Sequence, residues 1–522
     1  MRVAALGPLW LAAALLARPL AAAPDAERVV QPGVQQEPAA LVSPATPSAP
    51  SIRVTATLSA AQASAVAPVV VRPVNDPYLG SRDSWSQGGA DQWGLYRIGL
   101  YRDGGFAQVD PDGFADPLEP VRVALIDSGV DYSHPDLGVA ALWRNPDEQP
   151  NGRDDDGNGL IDDLIGWNFV DDNNNPWDDH GHGTHIAGII AAGRDNATGI
   201  AGIAPNARLM VLKVVDASGN ASGSHIAQAL RYAADKGAQL IQLSLGGQAP
   251  GPAERDALAY AVAREAVVVI AAGNRASGDP QHGYAALPGV LVVGALAPNG
   301  ERAPFSDWGP NLDLLAPGVD ILSLRASGSD FLRHNGAPDY RPGSAIVGAH
   351  YYRATGSSFA APFVTGVAAL ILGRDPWMEP PQLLRVLRQS ARDLGPVGVD
   401  QNHGYGQLDA LAALAAPPQH FVEARLQRVL VDQQRQLQLI GTADADQFLQ
   451  AQIDVGVGEQ PTAWQPLLAE PLLEPRRAEP LARIDSGRLP PGQLLTLRLQ
   501  VYHRDGALRE SRLQLLLPGA TP

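Results

Sequence analysis

The sequence predicts an α/β protein, a mostly parallel sheet with helices on both faces, followed by a small antiparallel β-sandwich. Three observations carry this. Four apolar runs, Val121–Ile126, Leu209–Val215, Val267–Ile270 and Val290–Val293, are near-continuous rather than alternating. Strands read this way when both faces are buried, as in parallel sheets. Helical patterns lie between them: residues 224–236 place Ile226, Ala229, Leu230 and Ala233 on one face, and Gly237 follows as a stop. Beyond Ala416-Pro-Pro418 the period changes to two, in Leu437-Gln-Leu439, in Leu495–Val501 and in Leu513–Leu517. Turn chemistry at Pro490-Pro-Gly492 and Arg504-Asp-Gly506 separates these runs, as a sandwich requires.

In chain order, residues 1–23 read as a signal peptide. Arg2 precedes an apolar run from Ala4 to Ala17, and small residues end at Ala23. The run is short for a membrane span, an uncleaved anchor helix being the alternative, and no second spanning run follows. Residues 24–74 are rich in Pro and Ala and read as a prosegment or spacer. Residues 75–415 form the α/β domain, with buried strands alternating with helices. In such sheets the chemistry sits at the carboxyl ends of the strands. Residues 419–522 form the sandwich, whose fold alone assigns it no role.

Composition narrows the partners. The 522 residues carry a net charge of -16, which argues against nucleic acid and leaves carboxylates for metal cations. No cysteine is present, so disulfides, thiolate catalysis and cysteine zinc sites are excluded. The chain is expected to be a monomer, secreted to the exterior or the periplasm, with no stable membrane span once the signal is cleaved.

Three local motifs carry chemistry together. Asp127 ends the first buried strand and is followed by Ser128-Gly129. His182 opens a helical stretch, His182-Gly-Thr-His185-Ile-Ala-Gly188. Ser358 opens another, Gly356-Ser-Ser358-Phe-Ala-Ala-Pro362. A serine hydroxyl is a weak nucleophile and needs a base to take its proton. His182 fits that role, and Asp127 would fix its tautomer and stabilise the imidazolium. Asn274, in Ile270-Ala-Ala-Gly-Asn274 after a buried strand, is placed to bind the oxyanion beside the Ser358 backbone N–H. His185 reads as a packed residue, since no acidic residue separates it from His182 as a zinc-protease helix requires.

At these residues the sequence resembles the subtilisin-like serine proteases (subtilases), nearest their thermitase-like branch, over roughly residues 75–414. The resemblance implies a parallel-sheet α/β fold, endopeptidase activity and a protein or peptide substrate. It implies that Ser244-Leu245-Gly246 and Ala272-Gly273 line the substrate groove, pairing with the peptide as an added strand. Ala316-Pro-Gly318 matches a further landmark. The sequence departs from the family habit at Ser357, usually Thr, at Phe359, usually Met, and at Gln242, usually Asn. The stretch 323–355 is longer than usual and reads as a surface loop or a specificity element.

Calcium is the expected cofactor, in a structural role. Asp154, Asp156, Asn158 and Leu160 follow the spacing of the start of an EF-hand-type loop, with Gly159 at its sharp turn and Asp162 or Asp163 to substitute for its closing ligand. The closing glutamate is missing, Ile165 standing there; a plain acidic turn is the alternative. The resemblance implies a second site from Asp76 and Asp136, the side chains of Asn196 and Thr198, and the carbonyls of Gly193 and Ile200. Two competing readings remain open at this stage. A non-catalytic relative would lack a triad or oxyanion residue, and none is missing. A metal-dependent hydrolase would need three ligands around an open position, and no spacing supplies them. An esterase is disfavoured because no Gly-x-Ser-x-Gly elbow surrounds Ser358.

Overall fold

The computed structural model describes residues 69–102, 105–109, 119–245, 250–278, 289–328, 346–431 and 436–517. The signal peptide, residues 24–68 of the prosegment stretch, Gly246 and residues 329–345 of the long insertion lie outside these.

A seven-stranded parallel sheet occupies the centre. Its strands are β1 (Val121–Asp127), β2 (Gly166–Asn168), β3 (Ala207–Lys213), β4 (Leu240–Leu243), β5 (Val267–Ala271), β6 (Val290–Leu296) and β7 (Leu314–Pro317). They lie in the order β7-β6-β5-β4-β1-β3-β2, every pair parallel. Alternate residues of β1 enter two separate cores. Val123 and Leu125 pack with helices α1 (His182–Ala191) and α4 (Ser357–Arg374). Ala124 and Ile126 pack with α2 (Gly223–Asp235) and α3 (Pro252–Ala263). With helices on both faces the strands are buried almost throughout, Arg122 near the start of β1 being exposed, which is why the runs carry no regular polar alternation.

After β3 the chain crosses to β4 on the other side of β1. A reversal of this kind opens a crevice at the carboxyl ends of the strands beside it. The helices are set by local chemistry. Ser222 Oγ accepts from His225 N–H at 3.1 Å and caps α2, and Gly237, at φ +70°, follows its end. Among the described residues α4 is the one helix long and apolar enough to cross a membrane, and it is almost wholly buried in the α/β core.

Two smaller sheets flank the domain. The strand Val69–Pro73 pairs antiparallel with Gly105–Val109, so the tail of the prosegment stretch is built into the folded unit. The two ends of the insertion pair as Ile321–Leu324 with Tyr351–Ala354, which also pairs with Ile346–Val347.

The C-terminal part holds two antiparallel sheets around their own core. One contains β8 (Val422–Val431), β9 (Gln436–Ala445) and β12 (Arg476–Asp485). The other contains β10 (Phe448–Val457), β11 (Gln465–Pro466), β13 (Leu494–His503) and β14 (Leu508–Leu516). Leu437, Leu439, Leu495, Leu497, Leu499 and Leu513 fill the space between them, the inward members of the alternating runs.

Candidate active site

Each of the three motif residues stands at the end of an element, where a side chain reaches the crevice. Asp127 is the last residue of β1 and fully buried. His182 is the first residue of α1 and also fully buried. His182 Nδ1 lies 2.8 Å from Asp127 Oδ1, which also accepts from Ser128 N–H at 2.8 Å. An Nδ1–H held by a carboxylate leaves Nε2 as the basic nitrogen.

The start of α1 is held on the turn after β1 by Asp178, a residue the motif reading missed. Its Oδ1 accepts from Ser128 Oγ, His180 N–H and Gly181 N–H, and its Oδ2 from Thr184 N–H and Oγ1. Ser128 Oγ in turn accepts from Gly183 N–H at 2.9 Å. Burial raises Asp178 against these hydrogen bonds. Gly129, at φ +102°, lets the turn pass under Pro176 and Trp177, whose carbonyls an added Cβ would meet at 2.5 and 2.7 Å.

Ser358 is the second residue of α4, where helix N–H groups lack intrahelical partners and the dipole favours a developing anion. Its hydroxyl donates to Ser244 O at 3.2 Å, and Ser244 Oγ donates to Ser358 O at 2.9 Å. The second bond is available because Pro362, four residues on, has no N–H to claim that carbonyl. The Phe359 ring lies 5.3 Å from the His182 ring and 4.6 Å from that of His185.

Asn274 follows β5. Its Oδ1 accepts from Ser357 N–H at 2.8 Å, which turns the Nδ2 edge of the amide the other way. Gly273 N–H donates to Ser357 Oγ at 3.0 Å. Asp307, buried and unsignalled by any motif, holds this loop: its Oδ1 accepts from Arg275 and Ser277 N–H. Gly273, at φ +111°, has Asp307 Oδ2 2.3 Å from where a Cβ would sit.

The residues expected to line a substrate groove fall at the same edge. Ser244 and Leu245 follow β4 and are buried; Ala272 and Gly273 follow β5. Gln242, the departure from the family habit, is fully buried. Its Nε2 donates to Ser244 Oγ at 2.8 Å, and its Oε1 accepts from Thr365 Oγ1 of α4. His185 is fully buried, with Nε2 3.1 Å from both the Ile321 and Tyr352 carbonyls. Burial, with His182 adding to it, pushes His185 down to about 3, so this imidazole stays neutral.

The expected calcium residues form two groups. Asp154 and Asp156 come together with Glu148, each offering an oxygen within 4.8 Å of the others. Glu148 lies upstream of the loop, so no spacing rule within the loop finds it. The remaining loop residues are arranged around these three. Asn158 Oδ1 accepts from Leu160 N–H at 2.7 Å. Asp162 accepts from Asn151 and Gly152 N–H. Asp163 is buried among Asn145, Asn158 and Tyr232, all of which donate to it.

In the second group Asp76 and Asp136 are buried around the loop 193–200. Asp76 accepts from Asp195 and Asn196 N–H; Asp136 accepts from Asn196 Nδ2 and Ile200 N–H. Gly193 N–H donates to Asp136 O at 2.7 Å. The Thr198 hydroxyl donates to Asn196 O at 3.2 Å. Burial raises Asp76 and pushes Asp136 up to about 6.

A parallel sheet with Asp, His and Ser in that chain order is the signature of the subtilisin class of serine hydrolases, distinct from the orders other triad folds use. The model of the subtilase family matches residues 119–406, more than half of the chain, and the chain belongs to that family. It is 39% identical over 250 residues to the thermophilic serine proteinase of Bacillus sp. (strain AK1), covering 48% of this chain and 51% of the relative. It is 34% identical to subtilisin DY of Bacillus licheniformis over 53% of this chain and 85% of the relative. To thermitase of Thermoactinomyces vulgaris it is 31% identical, over 57% and 84%. The match thus spans about half the length of the first of these relatives. The family match ends at residue 406, before the sandwich strands begin at Val422.

Proposed function

We propose that this protein is a secreted serine endopeptidase that hydrolyses peptide bonds through an acyl-enzyme on Ser358. The observation that carries this is the buried 2.8 Å pair of His182 Nδ1 and Asp127 Oδ1 at the carboxyl-end edge of the central sheet. It orients an imidazole whose Nε2 takes the proton of Ser358 Oγ as that oxygen attacks the scissile carbonyl. The same nitrogen then gives the proton to the leaving amine. Asn274 Nδ2 and the Ser358 N–H receive the oxyanion, with the dipole of α4 behind them. The ends of β4 and β5 supply backbone on either side for an extended substrate. The groove segments carry no charged side chain, so broad cleavage of unfolded proteins with apolar P1 residues is expected. Secretion rests on the N-terminal apolar run from Ala4 to Ala17 and the small residues that end at Ala23.

Calcium fits both acidic groups. Three carboxylates within 4.8 Å suit a hard cation with oxygen ligands at about 2.3–2.6 Å, and Glu148 supplies the carboxylate the loop lacks at its end. At the other site, two buried carboxylates disfavoured by desolvation gain from a cation, beside Asn196 and the backbone of Gly193 and Ile200. Calcium there would tie surface loops to the core and supply no chemistry.

The test is casein hydrolysis by the wild type and by Ser358→Ala, each with calcium and with a chelator. Activity in the wild type that vanishes in Ser358→Ala is the expected result. An inactive wild type with its N-terminal segment removed would instead make the chain a binding protein on a subtilase fold. Chelation is expected to lower the Tm of Ser358→Ala, because calcium at 100 times its Kd stabilises by about 2.7 kcal/mol for each site. An unchanged Tm refutes the calcium assignment.

A further inference from the structure

The sandwich holds a group of metal-ligating side chains that the proposed chemistry does not use. His420 ends the linker, and His503 and Asp505 lie at the tight turn between β13 and β14. Each brings one ligand atom within 4.8 Å of the others. His420 Nε2 is 2.9 Å from Asp505 Oδ2, and His503 Nδ1 is 2.6 Å from Asp505 Oδ1. The two imidazole centroids are 4.9 Å apart.

Hydrogen bonding shows what this geometry lacks. The Asp505 N–H donates to His503 Nδ1 at 3.2 Å, so that nitrogen carries its lone pair. It nevertheless faces a carboxylate oxygen at 2.6 Å. Two acceptors at that distance repel unless a proton or a metal cation lies between them. Protonating both histidines would set two imidazolium ions side by side, their ring centroids 4.9 Å apart, with only Asp505 and Asp446 to balance them. One divalent ion satisfies both lone pairs and the carboxylate with the imidazoles neutral.

We propose that His420, His503 and Asp505 form a zinc-type metal site that pins the linker to the sandwich. Two imidazoles and one carboxylate are a donor set for zinc or a similar borderline metal, whereas calcium asks for six to eight oxygens. Ligand atoms of a tetrahedral zinc at about 2.0–2.2 Å stand about 3.3 Å from one another, so the two spacings to Asp505 adjust by less than about 1 Å. His503 is 2% exposed, which fixes one ligand in the fold. Its Nε2 lies 3.2 Å from Asp446 Oδ1, the kind of outer carboxylate that orients a ligating imidazole. The same Asp446 oxygen accepts from Phe421 N–H at 2.8 Å, next to His420. The half-exposed side chains of His420 and Asp505 leave the fourth position to solvent. In a chain without disulfides, such a site would join three separate segments: the linker, the turn after β9 and the turn after β13.

The experiment uses the full chain carrying Ser358→Ala, to prevent self-digestion, with saturating calcium to fill the oxygen sites. Zinc chloride is titrated by calorimetry, and the Tm is followed with and without zinc. One zinc per chain with Kd in the micromolar range or tighter is expected, together with a raised Tm. His420→Ala, at a partly exposed position that leaves the core intact, is expected to weaken binding at least about tenfold and remove the Tm rise. Asp505→Asn is expected to do the same, with casein hydrolysis unchanged when either substitution is placed in the wild-type background. Equal zinc affinity in His420→Ala and its parent overturns the proposal. So does a Tm insensitive to zinc that responds only to the protonation of the two histidines between pH 5 and 8, since the cluster would then be held by protons alone.

Discussion

Asp127 Oδ1 takes two hydrogen bonds, one from the chain's own next N–H and one from His182, both at 2.8 Å. The first fixes the carboxylate; the second fixes the tautomer of His182, the proposed base. Asp127→Asn keeps the shape but lets the amide donate to Nδ1, which places the proton on Nε2 where the base must be empty. The expected loss in kcat is about 10⁴-fold with KM little changed, measured on a peptide substrate. A drop confined to KM would mean that Asp127 shapes the groove and does not set the tautomer. The three expected triad positions were legible in the sequence because each stands at the end of an element and carries its own local motif: Asp127 before Ser-Gly, His182 before Gly-Thr, Ser358 within Gly-Ser-Ser; of their mutual contacts, the structure gives the Asp127–His182 bond. Glu148, Asp178 and Asp307 were not legible. Each acts on a loop or helix start through backbone N–H groups that lie elsewhere in the chain or beyond any motif, and an isolated carboxylate in a sequence carries no mark of what it will hold. Gln242 was visible as a departure, but its bond to Thr365 on α4 depends on how β4 and α4 pack.

At the scale of elements, four of the seven parallel strands were readable from their near-continuous apolar runs, because burial on both faces removes most polar alternates; the short strands Gly166–Asn168, Leu240–Leu243 and Leu314–Pro317 carry too few residues to show such a run. The strand Val69–Pro73 reads only as an extended piece, since its partner Gly105–Val109 lies over thirty residues away and nothing in either pentapeptide names the other. Helix α1 packs closer to its neighbours than its apolar pattern reveals. A Cβ on Gly188 would stand 2.4 Å from both Ser323 Oγ and Leu324 Cγ, on the strand at the start of the long insertion. Ser323 Oγ already donates to His185 O at 2.6 Å, so it cannot withdraw without losing a buried bond. Gly188→Ala gains about 1 kcal/mol of helix propensity but meets an overpacking cost of about 1–3 kcal/mol, and the backbone-anchored neighbour decides the sign. A lower urea midpoint with unchanged m is expected in the Ser358→Ala background. A midpoint that rises would show that the insertion strand yields, and that α1 does not depend on close contact there.

Across the whole molecule, the sandwich is joined to the α/β domain by more than the linker. Val399 N–H donates to Glu510 O, and Arg512 N–H donates to Val399 O, each at 2.8 Å. Arg425, on β8, donates to Asp313 Oδ1 at 2.6 Å, and Arg388 reaches the same oxygen at 3.1 Å. Asp313 Oδ2 accepts from Val292 N–H on β6, so a charge of the sandwich is bonded to the central sheet. Burial by itself would raise Asp313, but the two guanidinium charges and these hydrogen bonds outweigh it and hold the carboxyl below its ordinary value. A depressed folded value means stability that is present above the unfolded carboxyl's pKa of about 3.9 and is lost as pH falls through the lower folded value. Removing one partner of a buried pair costs about 3–5 kcal/mol, and Arg388 keeps Arg425→Ala near or below the lower end. The gap between Arg425→Ala and its parent is therefore expected to be full at pH 7 and to close as pH falls below about 3.9, read from urea midpoints in the Ser358→Ala background. A gap of the same size at every pH would assign the loss to packing of the Arg425 stem. A gap that closes on acidification would show that the sandwich and the central sheet share one buried charge, and that the two units stabilise each other through it.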